Sequence, residues 1–433
     1  MDKKIDYERA VSFHESAKAY GSILGLESIK ALMYELNDVW KELKIVHIAG
    51  TNGKGSVSCF LASVLKEAGY TVGQYNSPAV FDLREVYQIN QKWISMEEYA
   101  SCMEEVADSC KKMTDKGRRH PTVFEVETAL AFLWFYSRKC DIVLLETGMG
   151  GSTDATNLIQ KPLCSVFVPI QMDHMDYLGN SLREIAGVKA GIIKENCPVI
   201  TANQQKEVKD VLVQTAKARH AALYQAPKCT DGLLENGRLC YQYPDFGKVC
   251  LSMTGNYQIE NSALAIKTLQ ILREFGFCYT DLQIRKGIES AYWAGRYECL
   301  SKLPGFYIDG AHNPAAAGQL AKSLDREFYG FRKIGIMGVM ADKNYGEMLE
   351  ILLPYFPKIY TVTPENIRAL KAEILAQEIR NRGGAAWAKE SIASAVAAAV
   401  SETSKDENCI AVAFGSLYFL NGVKQTFYEI TGS

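Results

Sequence analysis

Residues 44–69 read KIVHIAGTNGKGSVSCFLASVLKEAG. A β-rich run ends at Ala49, glycines and a lysine follow, and Val57, Phe60, Leu61, Val64, Leu65 and Ala68 then recur at helical spacing. Strand, glycine-rich turn and helix together make a phosphate cradle. Glycines at 50, 53 and 55 admit close backbone approach, Lys54 supplies a cation, Ser56 a hydroxyl, and the first turn of the helix points unpaired N–H groups at an anion. The spacing is not that of the ordinary P-loop GxxxxGK[ST], because Ile48 stands six residues before Lys54 and Gly55 directly after it. Glycine-rich strand-to-helix turns also occur with no ligand, but GK with a nearby hydroxyl in this context points to ATP or GTP.

Outward from this loop, β-type runs alternate with helical patterns: KIVHIAG, DIVLLETG from Asp141, SVFVPIQ from Ser165 and PVITA from Pro198. Such alternation predicts a parallel sheet covered by helices. Between them EVETALAFLWFYS, from Glu125, is apolar nearly all round, which predicts an interior helix. A second series follows, FYIDG from Phe306, KIGIMGVM from Lys333, KIYTVTP from Lys358 and CIAVAFGS from Cys409. The segment 291–304 has no clean period and separates the two series. The fold expected is therefore α/β: an N-terminal P-loop-type parallel-sheet ATPase domain over 1–295 and a smaller C-terminal Rossmann-like domain over 296–433, with the active site in the cleft between them. The polar stretch 231–247 reads as a hairpin or loop insertion.

Composition excludes several classes. With 433 residues, 48% hydrophobic, 23% charged and a formal net charge of −2, the chain gives no reason to expect a nucleic-acid or membrane surface. No apolar run approaches the roughly 18 residues of a membrane span, and the N-terminus lacks the apolar core of a secretory signal, so the cytoplasm is expected. Twelve cysteines are scattered through apolar segments without CxxC pairs and read as small buried hydrophobes, with reactive thiols the lesser alternative.

Further motifs appear in order along the chain: LREVYQIN at Leu83, TVFEVETALAF at Thr122, LLETGMGGSTDATN at Leu144, MDHMDYLG at Met172, REIAGVKAGIIK at Arg183, TGNYQIEN at Thr254, AGRYE at Ala294, DGAHNP at Asp309 and FGSLYFLNG at Phe414. With GTNGKGS, this set resembles the folate branch of the Mur ligase superfamily over nearly the whole length. The resemblance implies an ATP-dependent ligase joining L-glutamate to a folate or dihydropteroate carboxylate, through an acyl phosphate. It implies ATP, a pair of Mg²⁺ ions and a monomer. The chemistry fits such a parts list: a carboxylate is a poor electrophile until phosphorylated, and cations must bring two anionic reactants together.

Residue by residue, the resemblance places Asn52, Gly53, Lys54, Gly55, Ser56 and Asn261 on the nucleotide, with Arg296 and His312 bridging to its phosphates and Asp309 at the ribose. Ser56, Ser77, Glu146 and His174 become metal ligands, joined by Lys189 if its amine is carbamylated to N6-carboxylysine. Lys54, Glu146, His174, Lys189, Arg296 and His312 form the catalytic set. Thr122, Phe124, Thr153, Asp154 and Ala155 line the pterin site, and Ser416 lies on the glutamate side. Taken alone, each has a plainer reading. Glu146 can be a strand-end cap and His174 a turn or core histidine, since Mg²⁺ prefers oxygen ligands. Lys189 can be a snorkelling lysine, as Lys194 can, and GGSTD an ordinary polar turn. The chain departs from the family pattern at Ser152, where Arg is usual, at Ala79, where His is usual, and at Tyr257, again for His. These bear on substrate detail.

Three rivals remain. A Mur-type ligase for another carboxylate would usually carry an extra N-terminal nucleotide-sugar domain, for which little chain precedes Lys44. A GTPase-like switch would need NKxD and standard loop spacing. An inactive relative would not be expected to keep Lys54, Glu146, His174 and Lys189 together.

Overall fold

The computed structural model of the chain describes residues 3–21, 23–229 and 232–432. It divides into two compact units, one drawn from 1–231, 241–250 and 259–291, the other from 232–240, 251–258 and 292–433.

The first unit is built on an eight-stranded sheet. Its strands are β1 (Ile45–Ala49), β2 (Val72–Tyr75), β3 (Tyr87–Ile89), β4 (Lys92–Trp93), β5 (Ile142–Glu146), β6 (Cys164–Phe167), β7 (Val199–Thr201) and β8 (Leu223–Gln225), in the order β4-β3-β2-β5-β1-β6-β7-β8. All pairings from β2 to β8 are parallel. Every residue of β1, β5 and β6 is buried, as expected of strands covered on both faces. The parallel sheet expected from the sequence is thus present, and the β3–β4 edge adds antiparallel strands to it. Asn90 and Gln91 both take positive φ, and so short a link closes a hairpin and cannot make a crossover.

The helix Val123–Ser137 is interior, as its composition predicts, with Val126 and Ala129 through Phe132 among its buried residues. It starts in a capping box: Thr122 Oγ1 accepts from Glu125 N, and the Glu125 carboxylate accepts from Thr122 N at 2.7 Å. The other Glu125 oxygen accepts from Ile29 N at 3.1 Å, so one buried carboxylate organises two helix starts.

Residues 232–251 form the anticipated hairpin region: β9 (Leu233–Glu235), β10 (Arg238–Tyr243) and β11 (Gly247–Leu251). The reading of every cysteine as an unbonded hydrophobe fails here, because Cys240 on β10 and Cys250 on β11 are disulfide-bonded. Sequence spacing does not reveal that two strands become neighbours. The other ten cysteines are not in disulfides.

The second unit carries β12 (Glu298–Lys302), β13 (Gly305–Ile308), β14 (Arg332–Met337), β15 (Lys358–Thr361), β16 (Ala386–Ala388) and β17 (Cys409–Phe414), ordered β12-β13-β17-β14-β15-β16. β13 to β16 are parallel, whereas β12 is an antiparallel edge joined to β13 by a tight turn.

Candidate active site

The chain reverses direction across the first sheet at β1, which lies between β5 and β6. Ligands of open α/β sheets sit outside the carboxyl ends of the strands at such a switch point. Three segments emerge there: the loop 50–53 after β1, Glu146 ending β5, and residues 168–171 after β6. Gly50 has φ +138°, and a Cβ on it would fall 2.2 Å from Val168 Cγ2. Gly53, at φ +107°, caps the helix Lys54–Glu67 and lies so near Asn261 that a Cβ would meet its Oδ1 at 2.4 Å. Only glycine fits both places. Thr51 N donates to Pro169 O, Thr51 Oγ1 to Gln171 O and Asn52 Nδ2 to Gln171 Oε1, lacing the loop to the segment after β6.

Two lysine amines converge on this loop. Lys54 Nζ donates to Thr51 O at 3.2 Å and lies 3.6 Å from Glu146 Oε1. Lys189 Nζ, from the helix Leu182–Lys189, donates to Gly50 O at 2.8 Å. Lys189 is 5% exposed, and burial, then the charge of Lys54, lowers its pKa to about 7. It is a buried amine beside a phosphate loop, which rules out the snorkelling reading. Lys194 is half-buried and donates to Asn157 O at 3.4 Å.

Asn76 Nδ2 donates to Glu146 Oε2 at 2.8 Å, and Asn76 Oδ1 and Thr147 Oγ1 are buried beside Glu146 without a hydrogen-bond partner. With Ser56 buried at the helix start, this is an oxygen-rich donor set around one carboxylate. Mg²⁺ typically takes one or two carboxylates and fills its shell from phosphate and water, so these residues fit a nucleotide-borne ion. Among the described residues no three His, Cys, Asp or Glu gather to hold a metal by themselves. Ser77, next to Asn76, is part-buried. His174 has a half-exposed side chain and φ +51°, and its backbone N–H donates to Asp173 Oδ1.

The turn 148–158 lies against the same region. Phe124 stacks over Gly148, where a Cβ would come within 2.5 Å of its ring. Thr122 is buried with its hydroxyl engaged in the capping box, which leaves that hydroxyl's proton on Glu125. Asp154 is buried: Oδ2 accepts from Met149 N at 2.8 Å, and Oδ1 accepts from Thr156 N at 3.0 Å and Thr156 Oγ1 at 2.6 Å. Burial raises its pKa. Asn157 Nδ2 donates to Ser152 O and Gly191 O, Thr153 is part-buried, and Ala155 is buried.

In the second unit Arg296, Asp309, His312 and Ser416 are gathered by loops at the carboxyl ends of β13 and β17. Gly310 N donates to Gly295 O, and Gly415 N donates to Ala311 O. Arg296 packs against Gly310, where a Cβ would meet Nη1 at 2.3 Å. Asp309 Oδ2 accepts from Tyr257 Oη and Tyr297 N, both at 2.8 Å, and Oδ1 from Ala311 N, also at 2.8 Å. Burial raises the Asp309 pKa while the Tyr257 hydrogen bond works against it. Three of about four acceptor positions are thus taken internally. His312 Nδ1 donates to Gly310 O, fixing its tautomer, and buried Ser416 Oγ accepts from Tyr418 N.

Sequence reasoning missed Asn76 and Gln171. Asn76 stands next to Ser77, at the end of an unremarked strand, and position at a strand's carboxyl end is the signal that could have found it.

Residues 48–269 match the Mur ligase middle domain and 295–416 the Mur ligase glutamate ligase domain. The chain is 34% identical over 438 residues to the dihydrofolate synthase/folylpolyglutamate synthase of Bacillus subtilis, covering 97% of this chain and 98% of that protein. It is 30% identical to the folylpolyglutamate synthase of Lacticaseibacillus casei, over 98% and 99% of the two chains. Its structure resembles that of the Mycobacterium tuberculosis folylpolyglutamate synthase solved with ADP and AMPPCP, with TM-score 0.89, 27% identity and 100% and 99% coverage. For Escherichia coli FolC, solved with DHPP and ADP, the TM-score is 0.85 at 26% identity, over 98% of each chain. These are two-domain ATP-using ligases of the Mur type. The chain belongs to the folylpolyglutamate/dihydrofolate synthase family within it.

Proposed function

We propose that this chain uses ATP to join L-glutamate to the carboxylate of a folate or dihydropteroate. The observation that carries the reading is the pair of amines, Lys54 and Lys189, at one glycine-lined loop, with Glu146 at the end of the adjacent strand. Asn52, Gly53, Gly55 and the start of the helix from Lys54 present N–H groups to the triphosphate, and Lys54 neutralises it. Glu146, Ser56, Ser77 and His174 would hold Mg²⁺, which supplies charge neutralisation at the phosphates when bound. By the family resemblance Arg296 and His312 are assigned to the phosphates and Asp309 to the ribose, and Asn261 borders Gly53. The acceptor lies along Phe124 and the turn 153–155, and its carboxylate attacks the γ-phosphate. The glutamate amine, entering from the Ser416 side, then attacks the acyl phosphate carbonyl and phosphate departs.

Lys189 is suited to carbamylation, because its depressed pKa leaves the neutral amine that adds CO₂. The enzyme acts as a monomer. Its proposed setting is the cytoplasm; no helix among the described residues is long and apolar enough to cross a membrane. The test supplies purified protein with ATP, Mg²⁺, labelled glutamate and either dihydropteroate or tetrahydrofolate. Labelled product with stoichiometric phosphate release is expected with at least one acceptor. Nucleotide hydrolysis unaffected by either acceptor, with no label transferred, would end the proposal.

A further inference from the structure

Arg296 stands between two residues of left-handed backbone, Gly295 at φ +72° and Tyr297 at φ +51°. Glycine adopts that state freely, whereas a tyrosine does so at a cost, so its surroundings must hold it there. Two buried carboxylates do so. Gly295 N donates to Glu298 Oε2 at 2.7 Å, and Tyr297 N donates to Asp309 Oδ2 at 2.8 Å. The N–H groups on either side of Arg296 are thus each tied to a carboxylate, and Gly310 N donates to Gly295 O. The guanidinium packs against Gly310, and none of the hydrogen bonds among the described residues engages it. Its direction is therefore set by the backbone that carries it.

The reading above gives Asp309 a role and leaves Glu298 without one. Glu298 opens β12, opposite Ile308 on β13, and is buried. A carboxylate in such a place needs donors. Besides Gly295 N on Oε2, its Oε1 accepts from Lys424 Nζ at 2.7 Å and from Tyr292 Oη. Lys424 belongs to the last helix, Leu420–Thr431, 126 residues further along the chain. One oxygen of the carboxylate thus holds the turn of Arg296 and the other is held by that helix. Taking this ion pair out of water costs desolvation that an apolar pair would not incur, so stability is a poor reason for it. What charge-assisted bonds supply and apolar contacts do not is direction.

We infer that Glu298 and Lys424 are positioning residues for Arg296: Lys424 fixes the carboxylate, the carboxylate fixes the turn at Gly295, and the turn aims the guanidinium. The inference rests on the reading of Arg296 as a phosphate contact. A cation that neutralises charge developing on a transferred phosphoryl group works only in the right place, so a loosened turn lowers kcat while the acceptor and glutamate still bind.

The test is a double-mutant cycle in the full chain, with Arg296→Ala, Glu298→Ala and both together, and with Lys424→Met and Lys424→Arg alongside. Labelled glutamate incorporation is measured with ATP, Mg²⁺ and whichever of dihydropteroate or tetrahydrofolate the wild type accepts. Arg296→Ala is expected to lower kcat at least a hundredfold and Glu298→Ala at least tenfold, with the acceptor and glutamate KM values within threefold of wild type. Added to Arg296→Ala, Glu298→Ala should cost less than a further twofold, because nothing remains to be aimed. Lys424→Met should lower kcat several-fold and Lys424→Arg should recover most of it. A carboxylate that only ties down the last helix would weaken both backgrounds alike, so losses that multiply across the cycle overturn the inference. Should Glu298→Ala fail to fold, Glu298→Gln takes its place in the cycle under the same criterion. If Arg296→Ala keeps wild-type kcat, the phosphate reading of Arg296 is wrong and the inference falls with it. A large loss in Arg296→Ala with none in Glu298→Ala or Lys424→Met overturns the inference alone.

Discussion

Replacing Lys189 by Met should make the protein inactive and, below neutral pH, more stable. The ordinary lysine pKa of 10.5 drops to about 7 in the folded chain, a difference worth roughly 5 kcal/mol between the two protonation states. At pH 7.5 an amine of pKa about 7 is roughly three-quarters neutral, where an unperturbed lysine is only about 0.1% neutral. The sign follows from linkage. Because the unfolded chain binds this proton more tightly, stability rises with pH between about 7 and 10.5, and the full penalty is present below pH 7. Lys189→Met removes the penalty but leaves Gly50 O without this donor, at a cost of about 1–3 kcal/mol. The variant should therefore gain a few kcal/mol at pH 6 and lose that advantage as pH approaches 10. Denaturant unfolding of both proteins across pH 6–9.5 measures this, and ¹³C NMR of the wild type in ¹³C-bicarbonate should show a carbamate resonance absent from the variant. Unfolding curves that stay parallel across this range would refute the buried-amine reasoning. A missing resonance, in protein whose activity is indifferent to bicarbonate, would remove the carbamate.

Gly53→Ala puts a Cβ 2.4 Å from Asn261 Oδ1 in a backbone region that costs other residues about 1–2 kcal/mol, so the ATP KM should rise at least tenfold; an unchanged value would show that the loop does not hold nucleotide. Tyr257→Phe removes one of three donors to Asp309 and should raise the ATP KM several-fold, with Tyr257→His recovering it; no change would mean that the two backbone donors suffice. Glu125→Ala loses the capping box, worth about 1 kcal/mol, and strands the buried Ile29 N–H, worth about 1–3 kcal/mol, so unfolding should show a loss of about 2–4 kcal/mol. A loss under about 0.5 kcal/mol would contradict that account.

The buried strands β1, β5, β6 and β7 were legible because each is a short, mostly apolar run rich in branched residues, and GTNGKGS announced its loop through residues that have few other uses together. β2 and the β3–β4 edge were not, since their residues mix polar and apolar types and a positive-φ pair such as Asn90-Gln91 lacks the usual glycine signal. At the site, sequence motifs indicated which residues matter more readily than what each does. Asp154 and Asp309 look like ligand readers in a string of letters. In the fold both are largely engaged by internal donors, because the N–H groups that satisfy them come from turns whose shape no spacing rule specifies. Lys189 is the reverse case, ambiguous in sequence and settled as a buried amine by its surroundings.

The borders of the eight- and six-stranded sheets are short: β4 has two residues, β8 and β16 three each, and β12 is broken by a register shift between Cys299 and Ser301. Unsatisfied rows of N–H and C=O along a long outer strand invite other molecules to add themselves. Here Lys92 and Trp93 end one border after a single repeat, with a charge at its rim. At these borders crowded copies of this chain thus find no extended template to zip onto, and pruning the Asn90-Gln91 hairpin would lay bare the longer flank of β2 and invite clumping.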